Sequence, residues 1–228
     1  MKGVIQAGGM GTRLHPVTLE IPKPLLPVKR KPIIQYLVEL FRRYGVKPIF
    51  VIVNTKDIEV FSKWKSEYKN RDVTLVEEKD RLGTWGGIQK YLRSELSETF
   101  VVSNGDELKE IDVEAMVRFH KTKKALATVA AIKVENPSDY GVLVATKERR
   151  VKEFLYKPKN PTTNFVMAGL YVAEPALFNF HYESESLMAE EDVFWRVMKE
   201  EKLYEFKYEG RWFDCGTFER YERAIMNW

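Results

Sequence analysis

Two short runs combine the residue types that hold phosphate. Gly8-Gly9-Met10-Gly11-Thr12-Arg13 places three glycines, whose amides no side chain shields, ahead of an arginine, and Pro22-Lys23-Pro24 sets a lysine between two prolines. Exposed backbone N–H groups where a strand ends bind anions, and a restrained cation adds charge. A plain loop with solvated Arg13 and Lys23 is the alternative, but strand, glycines and two cations coincide at a strand end. Neither familiar phosphate motif is complete: Leu14 stands where the dinucleotide pattern needs its third glycine, and no Gly-Lys-Ser/Thr follows. Carboxylates supply the complementary chemistry. Asp106, in Asn104-Gly105-Asp106 after the apolar run Thr99 to Ser103, is placed to hold a hard divalent cation that bridges phosphates. Asn-Gly also signals a hairpin, which the acidic stretch Glu107 to Asp112 argues against because no alternating strand is expected there. Asp214, in Trp212-Phe213-Asp214-Cys215-Gly216-Thr217, is a second such carboxylate or the cap of a last helix.

The elements that must position these residues follow from apolar spacing. Met1 to Ala7 reads as a buried strand entering the glycine loop, and Ile33, Ile34, Leu37, Val38, Phe41 and Tyr44 recur at helical spacing behind Pro32. Pro48 to Val53 is a strand, Ile58, Phe61, Trp64 and Tyr68 mark one helix face, and Val73 to Val76 is the next strand. A helix at Gly86 to Leu92, the strand Thr99 to Ser103 and a helix at Asp112 to Lys123 complete a first half built on a parallel, helix-covered sheet. Strands then dominate, at Ala127 to Lys133, Gly141 to Ala145, Val151 to Leu155, Val166 to Val172 and Leu203 to Lys207. Helices return at Glu190 to Glu200 and Phe218 to Met226. With no repeat and no Gly/Ser linker, residues 1–228 are expected to form a single domain of two lobes.

Composition narrows the function classes. The 228 residues are 44% apolar and 31% charged, with 37 Lys plus Arg against 33 Asp plus Glu, which excludes a disordered or low-complexity chain. The net charge of +4 is spread without a basic stripe, so a small polyanion in one pocket fits better than a nucleic acid backbone. The single cysteine, Cys215, forms no internal disulfide, and the opening residues lack a signal-peptide core. A cytoplasmic protein without membrane or nucleic acid partners is expected. His15, His120 and His181 show no ligand spacing, and no Ser-His-Asp or Cys-His grouping is present.

Ala7 to Thr18 followed by Pro22-Lys23-Pro24-Leu25-Leu26-Pro27-Val28 resembles the signature of the sugar-1-phosphate nucleotidyltransferases, or nucleotide-sugar pyrophosphorylases. The pattern is most similar to the mannose-1-phosphate guanylyltransferase and glucose-1-phosphate thymidylyltransferase catalytic domains. The resemblance implies an α/β fold: a three-layer, Rossmann-like, mixed, mainly parallel sheet with helices on both faces and a strand-rich sugar-side lobe. It implies that Gly8, Gly9, Gly11, Thr12 and Arg13 hold a nucleoside triphosphate and that Lys23 contacts phosphate. Arg13, Lys23 and Asp106 are then the catalytic residues, and Asp106 with Asp214 holds Mg²⁺. Leu82-Gly83-Thr84-Trp85-Gly86 is similar to a segment that lies against the nucleobase, which gives Gly83 and Thr84 to the nucleotide. Trp85 replaces a small residue there and either stacks or packs, and Glu77-Glu78 reads as a solvated pair.

On the sugar side, Tyr140-Gly141-Val142 is similar to the family's Tyr-Gly-Val, and Tyr156-Lys157-Pro158 to its Glu-Lys-Pro, in which the lysine holds the sugar phosphate. Met167-Ala168-Gly169 is similar to its Asn-Ala-Gly. Tyr140, Gly141, Tyr156, Lys157 and Met167 are thereby assigned to the sugar phosphate, with Tyr156 and Met167 departing from the usual Glu and Asn. Losing two polar partners for hydroxyls points to an unusual acceptor: a deoxy or modified sugar phosphate, or a non-sugar phosphate such as phosphocholine. A cytidylyltransferase for a non-sugar phosphate, and a catalytically decayed nucleotide-binding regulator, are the alternatives. The implied reaction is attack of a sugar 1-phosphate on the α-phosphorus of a nucleoside triphosphate, releasing pyrophosphate. No C-terminal β-helix domain is expected, and the oligomeric state stays open, a homodimer being one option. Cys215 is read as structural rather than nucleophilic.

Overall fold

A computed structural model of the chain describes all residues, Met1–Trp228. They divide into two compact units. The first comprises Met1–Arg81, Val102–Glu110 and Gly210–Trp228, and the second Leu82–Val101 and Ile111–Glu209. No helix is long and apolar enough to cross a membrane.

The first unit is built on parallel strands. Gly3–Gln6 pairs with Ile49–Asn54 and that strand with Val73–Glu78, in registers that align Ile5 with Val51 and Val51 with Leu75. Ile49 to Val53 are all buried, the uninterrupted apolar run of a strand covered on both faces. The helix Ile33–Arg43 starts immediately after Pro32 and buries Ile33, Ile34, Leu37, Val38, Leu40 and Phe41, one continuous stripe at 3–4 residue spacing. The end of the strand Phe100–Asn104 lies beside Gly3–Gln6.

A second, two-stranded sheet in this unit was not legible. Glu107–Lys109 is a strand, and it pairs antiparallel with Trp212–Asp214, aligning Trp212 with Lys109, Phe213 with Leu108 and Asp214 with Glu107. A strand therefore does follow Asn104-Gly105, contrary to expectation, although its partner lies a hundred residues away. Its Glu and Lys look like surface residues in sequence and are buried because they pair with each other.

The second unit carries the antiparallel strands. Phe165–Ala173 pairs with Ala127–Lys133 and, at Val166–Val142, with Gly141–Ala145, which pairs in turn with Val151–Tyr156. Leu203–Lys207 runs parallel to Ala127–Lys133. The helix Val113–Lys123 is capped by the Asp112 side chain, which accepts from the Ala115 amide at 2.8 Å. The expected helix at Glu190 to Glu200 begins instead as a π-helix, Ala189–Phe194, and continues as the α-helix Trp195–Lys199. Trp85 is fully buried and stacks on Phe178 and Phe100 at 5.4 and 6.4 Å, so it packs within the unit.

Candidate active site

One core assembles residues that the sequence keeps far apart. Leu14, Leu26, Val28, Ile33, Leu108, Cys215 and Ala224 form a single buried cluster in the first unit. Each of four polar candidates is within three residues of a member: Arg13 beside Leu14, Lys23 before Leu26, Asp106 before Leu108, and Asp214 beside Cys215. Burial of these apolar neighbours in one place, at about 1.5–3 kcal/mol per large side chain, is what draws their polar neighbours to one edge.

The glycine loop stands open at that edge. Gly9, Met10, Thr12 and Arg13 are exposed, and a Cβ placed on Gly9 would meet nothing within 4 Å. Gly11 has φ +63°, a left-handed conformation that glycine adopts without strain, and its carbonyl accepts from Thr18 Oγ1 at 2.8 Å and from the Leu14 amide at 2.8 Å. The loop is thus turned and held by its own chain while its outer amides remain accessible. Behind it, Asn54 Nδ2 donates to the Gly8 carbonyl, and a Cβ on Gly8 would lie 3.0 Å from a Glu78 carboxylate oxygen. Glu78 is only 8% exposed, so the expectation of a solvated Glu77-Glu78 pair fails for this residue.

Asp106 follows Gly105, whose amide donates to the Gln6 carbonyl at 2.8 Å. A side chain at 105 would sit 2.6 Å from that carbonyl oxygen, so only glycine lets the Asp106 turn approach the strand that feeds the glycine loop. Lys23, 7% exposed, donates from Nζ to Asp106 Oδ2. Burial by itself would raise the Asp106 carboxyl, but the Lys23 and Lys109 ammonium groups outweigh it and hold the group below the usual carboxylate range.

Asp214 reaches the same place from the end of the chain. The Cys215 amide donates to the Asp106 carbonyl at 3.3 Å, and Asp214 faces Glu107 across the strand pair. The Asp214 side chain is not the helix cap; Thr217 is, accepting from the Arg220 amide, while Asp214 Oδ1 accepts from the Gly216 amide at 2.9 Å. A Cβ on Gly216 would meet Asp214 Oδ1 at 2.6 Å and Arg13 Nη2 at 3.4 Å, so the Arg13 guanidinium lies against this turn. Arg13, Lys23, Asp106 and Asp214 are therefore brought together within one unit.

Three residues at this site had no signal in sequence. Arg220 Nη1 lies 3.2 and 3.4 Å from the two Asp214 oxygens. Glu107 accepts from Trp212 Nε1 at 2.8 Å and Asn104 Nδ2 at 3.0 Å, and Lys109 Nζ lies 3.2 Å from it and 3.1 Å from Ser103 Oγ. Burial pushes the Lys109 ammonium down, against the pull of Glu107 and Asp106.

Two carboxylates on paired segments are hard oxygen donors of the kind a divalent cation takes, and no larger group of His, Cys, Asp or Glu is arranged to hold a metal ion. Such a pair fits Mg²⁺, which keeps water and phosphate oxygens among its ligands instead of a full protein cage. Burial pushes the Cys215 thiol up to about 12, and the side chain is fully buried, so it carries no nucleophile at neutral pH. Iodoacetamide at pH 8 should leave folded protein unmodified over a time that fully labels it in denaturant, as read by mass spectrometry; rapid labelling of the folded chain would contradict this.

In the second unit, Gly83 and Thr84 open the helix Gly83–Tyr91. Thr84 Oγ1 donates to Glu190 at 3.3 Å and accepts from the Ala189 amide at 2.8 Å, so its hydroxyl ties this helix to the π-helix. Gly141 pairs with Tyr156, and the Lys157 amide donates to the Tyr140 carbonyl at 3.1 Å. A Cβ on Gly141 would collide with the Phe154 ring at 2.4 Å. Met167 follows Val166, which pairs with Val142, so Gly141, Tyr156 and Met167 lie on three neighbouring strands, with Tyr140 one residue before the first and Lys157 one residue after the second. Tyr156 is 70% exposed, with Lys157 Nζ 5.3 Å from its ring centre.

Mannose-1-phosphate guanyltransferase beta-A of Xenopus laevis is 34% identical over 221 residues, 95% of this chain and 61% of that protein. Mannose-1-phosphate guanyltransferase of Saccharomyces cerevisiae is 34% identical over 224 residues, with the same coverage. The chain thus spans 61% of the length of these curated relatives. Among solved structures, HddC from Yersinia pseudotuberculosis complexed with GMP-PN superposes with a TM-score of 0.81 at 25% identity, covering 99% of this chain and 98% of that one. A UDP-glucose pyrophosphorylase complexed with UDP-glucose gives 0.82 at 22% identity, covering 99% and 97%, a likeness of fold. The fold is the mixed, mainly parallel, Rossmann-like α/β arrangement of such enzymes. The sequence profile described as nucleotidyl transferase matches residues 2–228. With that match over nearly its full extent, the chain belongs to the nucleotidyl transferase family.

Proposed function

We propose that the chain transfers a nucleotidyl group from a nucleoside triphosphate to a sugar 1-phosphate, giving a nucleoside-diphosphate sugar and pyrophosphate, with residues 1–228 acting as one catalytic domain in the cytoplasm. The observation that carries the reading is the convergence of Arg13, Lys23, Asp106 and Asp214 beside an open glycine loop. The acceptor phosphate is already anionic at neutral pH, so no general base is needed. Catalysis reduces to alignment and to neutralising charge that moves onto the leaving group.

In this reading the loop amides at Gly8, Gly9, Gly11 and Thr12 bind triphosphate oxygens, with Gly83 and Thr84 toward the nucleoside. Arg13 and Lys23 hold the pyrophosphate as it departs, and Lys157 positions the incoming phosphate. Asp106 and Asp214 would hold Mg²⁺, which supplies charge neutralisation on the phosphates when bound. The relatives named mannose-1-phosphate guanyltransferases make GTP and mannose 1-phosphate the first pair to test. Tyr156 and Met167 speak for an acceptor with fewer hydroxyl contacts. The exposed Tyr156 ring is a face that can take a cation, so a cationic acceptor such as phosphocholine, displacing the Lys157 ammonium from that ring toward its phosphate, is the second reading.

Pyrophosphate release with Mg²⁺ is measured across five triphosphates against mannose 1-phosphate, glucose 1-phosphate and phosphocholine. Turnover of at least one pair is expected. Triphosphate binding with no turnover for any acceptor would make the chain a nucleotide-binding regulator. Rates for plain mannose or glucose 1-phosphate in the ordinary enzymatic range, about 1–10³ s⁻¹, would remove the case for an unusual acceptor.

A further inference from the structure

Arg220 has no place in the reaction above, yet it is bound to one of its two carboxylates. Its Nη1 reaches both Asp214 oxygens, at 3.2 and 3.4 Å, and the two side chains are only 16% and 14% exposed. Arg220 sits in the first turn of the helix Phe218–Asn227, whose Thr217 cap fixes that turn beside Asp214. Lys23 holds Asp106 in the same manner. Both carboxylates thus have a resident cation.

We infer that Arg220 is a placeholder cation for Asp214, which keeps the two-carboxylate site from taking a divalent ion until the triphosphate is bound. The inference rests on the proposed function. Four cations at the site, Arg13, Lys23, Lys109 and Arg220, face four carboxylates, Asp106, Glu107, Asp214 and the Glu78 beside Gly8. A divalent ion arriving alone therefore enters a cluster with no excess of negative charge, and it must displace a guanidinium from a carboxylate largely shielded from water. A triphosphate reverses both terms. It brings several negative charges and offers Lys23 and Arg220 more highly charged partners than Asp106 and Asp214, so both carboxylates become free to bind metal. Protein ligands alone make a poor cage, and the phosphate oxygens complete it. The consequence is ordered loading: metal and nucleotide enter together.

The test measures Mn²⁺ binding to nucleotide-free protein by electron paramagnetic resonance, and Mn²⁺·GTP binding by calorimetry, for wild type, Arg220→Gln, Arg220→Met, Asp214→Asn and the Arg220→Gln/Asp214→Asn double variant. Removing the guanidinium should tighten Mn²⁺ binding to the nucleotide-free protein on the order of tenfold, the scale of a lost charged hydrogen bond. The double variant should lose that gain. Unchanged Mn²⁺ affinity in both neutral variants overturns the placeholder role, while Mn²⁺·GTP binding that still requires Asp214 leaves the proposed function standing. Mn²⁺·GTP binding indifferent to Asp214→Asn would instead remove Asp214 from the functional reading. Wild-type protein that takes Mn²⁺ at Asp214 equally well with and without GTP overturns the inference whatever the variants do.

Discussion

Asp106→Asn should lower the rate of pyrophosphate release on the order of 10²-fold or more, the scale seen when one preorganised charge-stabilising group is removed. The substitution keeps the side-chain shape, so the turn and the hydrogen bond from the Gly105 amide to the Gln6 carbonyl persist. What changes is charge. Lys23, 7% exposed, loses its counter-ion, and the proposed divalent cation would lose one of its two carboxylates. In the proposed reaction this carboxylate acts on charge that develops as pyrophosphate leaves, so kcat and kcat/KM should fall together. A variant within fivefold of wild type in kcat, with the best acceptor of the panel, would show that Asp106 takes no part.

Glu107→Ala should destabilise the fold by about 3–5 kcal/mol, the cost of leaving a buried charge without its partner. The Lys109 side chain has no exposure at all, and Glu107 is its ion-pair partner at 3.2 Å. The same carboxylate takes the indole of Trp212 and the amide of Asn104, so one truncation loosens the link between the strand that follows Asp106 and the strand that ends in Asp214. For a chain of this size the expected fall in Tm is roughly 10 °C, taking about 2–4 °C per kcal/mol. Glu107→Gln/Lys109→Met, which removes both charges and keeps the volume, should recover much of the loss. Equal melting temperatures for wild type and Glu107→Ala would show that the pair contributes nothing.

Where the sequence could be read, its signal was local. The glycine loop, the strand before Asp106 and the helix Ile33–Arg43 announce themselves through contiguous apolar spacing, and the structure places each within two residues of expectation. The strand Glu107–Lys109 could not be read that way, because its pairing is with Trp212–Asp214 and its polar residues are inside. Alternation in a three-residue segment carries no period, and buried charges that neutralise each other look like surface charges until both partners are known. Arg220 was hidden for a related reason. Arg220 lies one helical turn before Ala224, which the helix supplies to the core, yet in sequence a single arginine reads as solvated, and only the turn at Gly216 and Thr217 aims it at Asp214. Glu78 and Trp85 were misplaced or left open because burial of a residue depends on what crosses over it, which composition does not record.

The unit that holds the four convergent side chains is stitched from three stretches, Met1–Arg81, Val102–Glu110 and Gly210–Trp228. A ribosome delivers them in that order, at about 5–20 residues per second. The nascent chain therefore carries Asp106, with Lys109 beside it, through the synthesis of another hundred residues before Trp212–Asp214 emerges to pair with Glu107–Lys109. Until then the buried charges and the apolar surface around Leu108 lack their cover. Translation that halts anywhere short of Trp212 leaves a product with that surface uncovered and the pair of aspartates incomplete, and such a fragment is one for proteases and chaperones to remove.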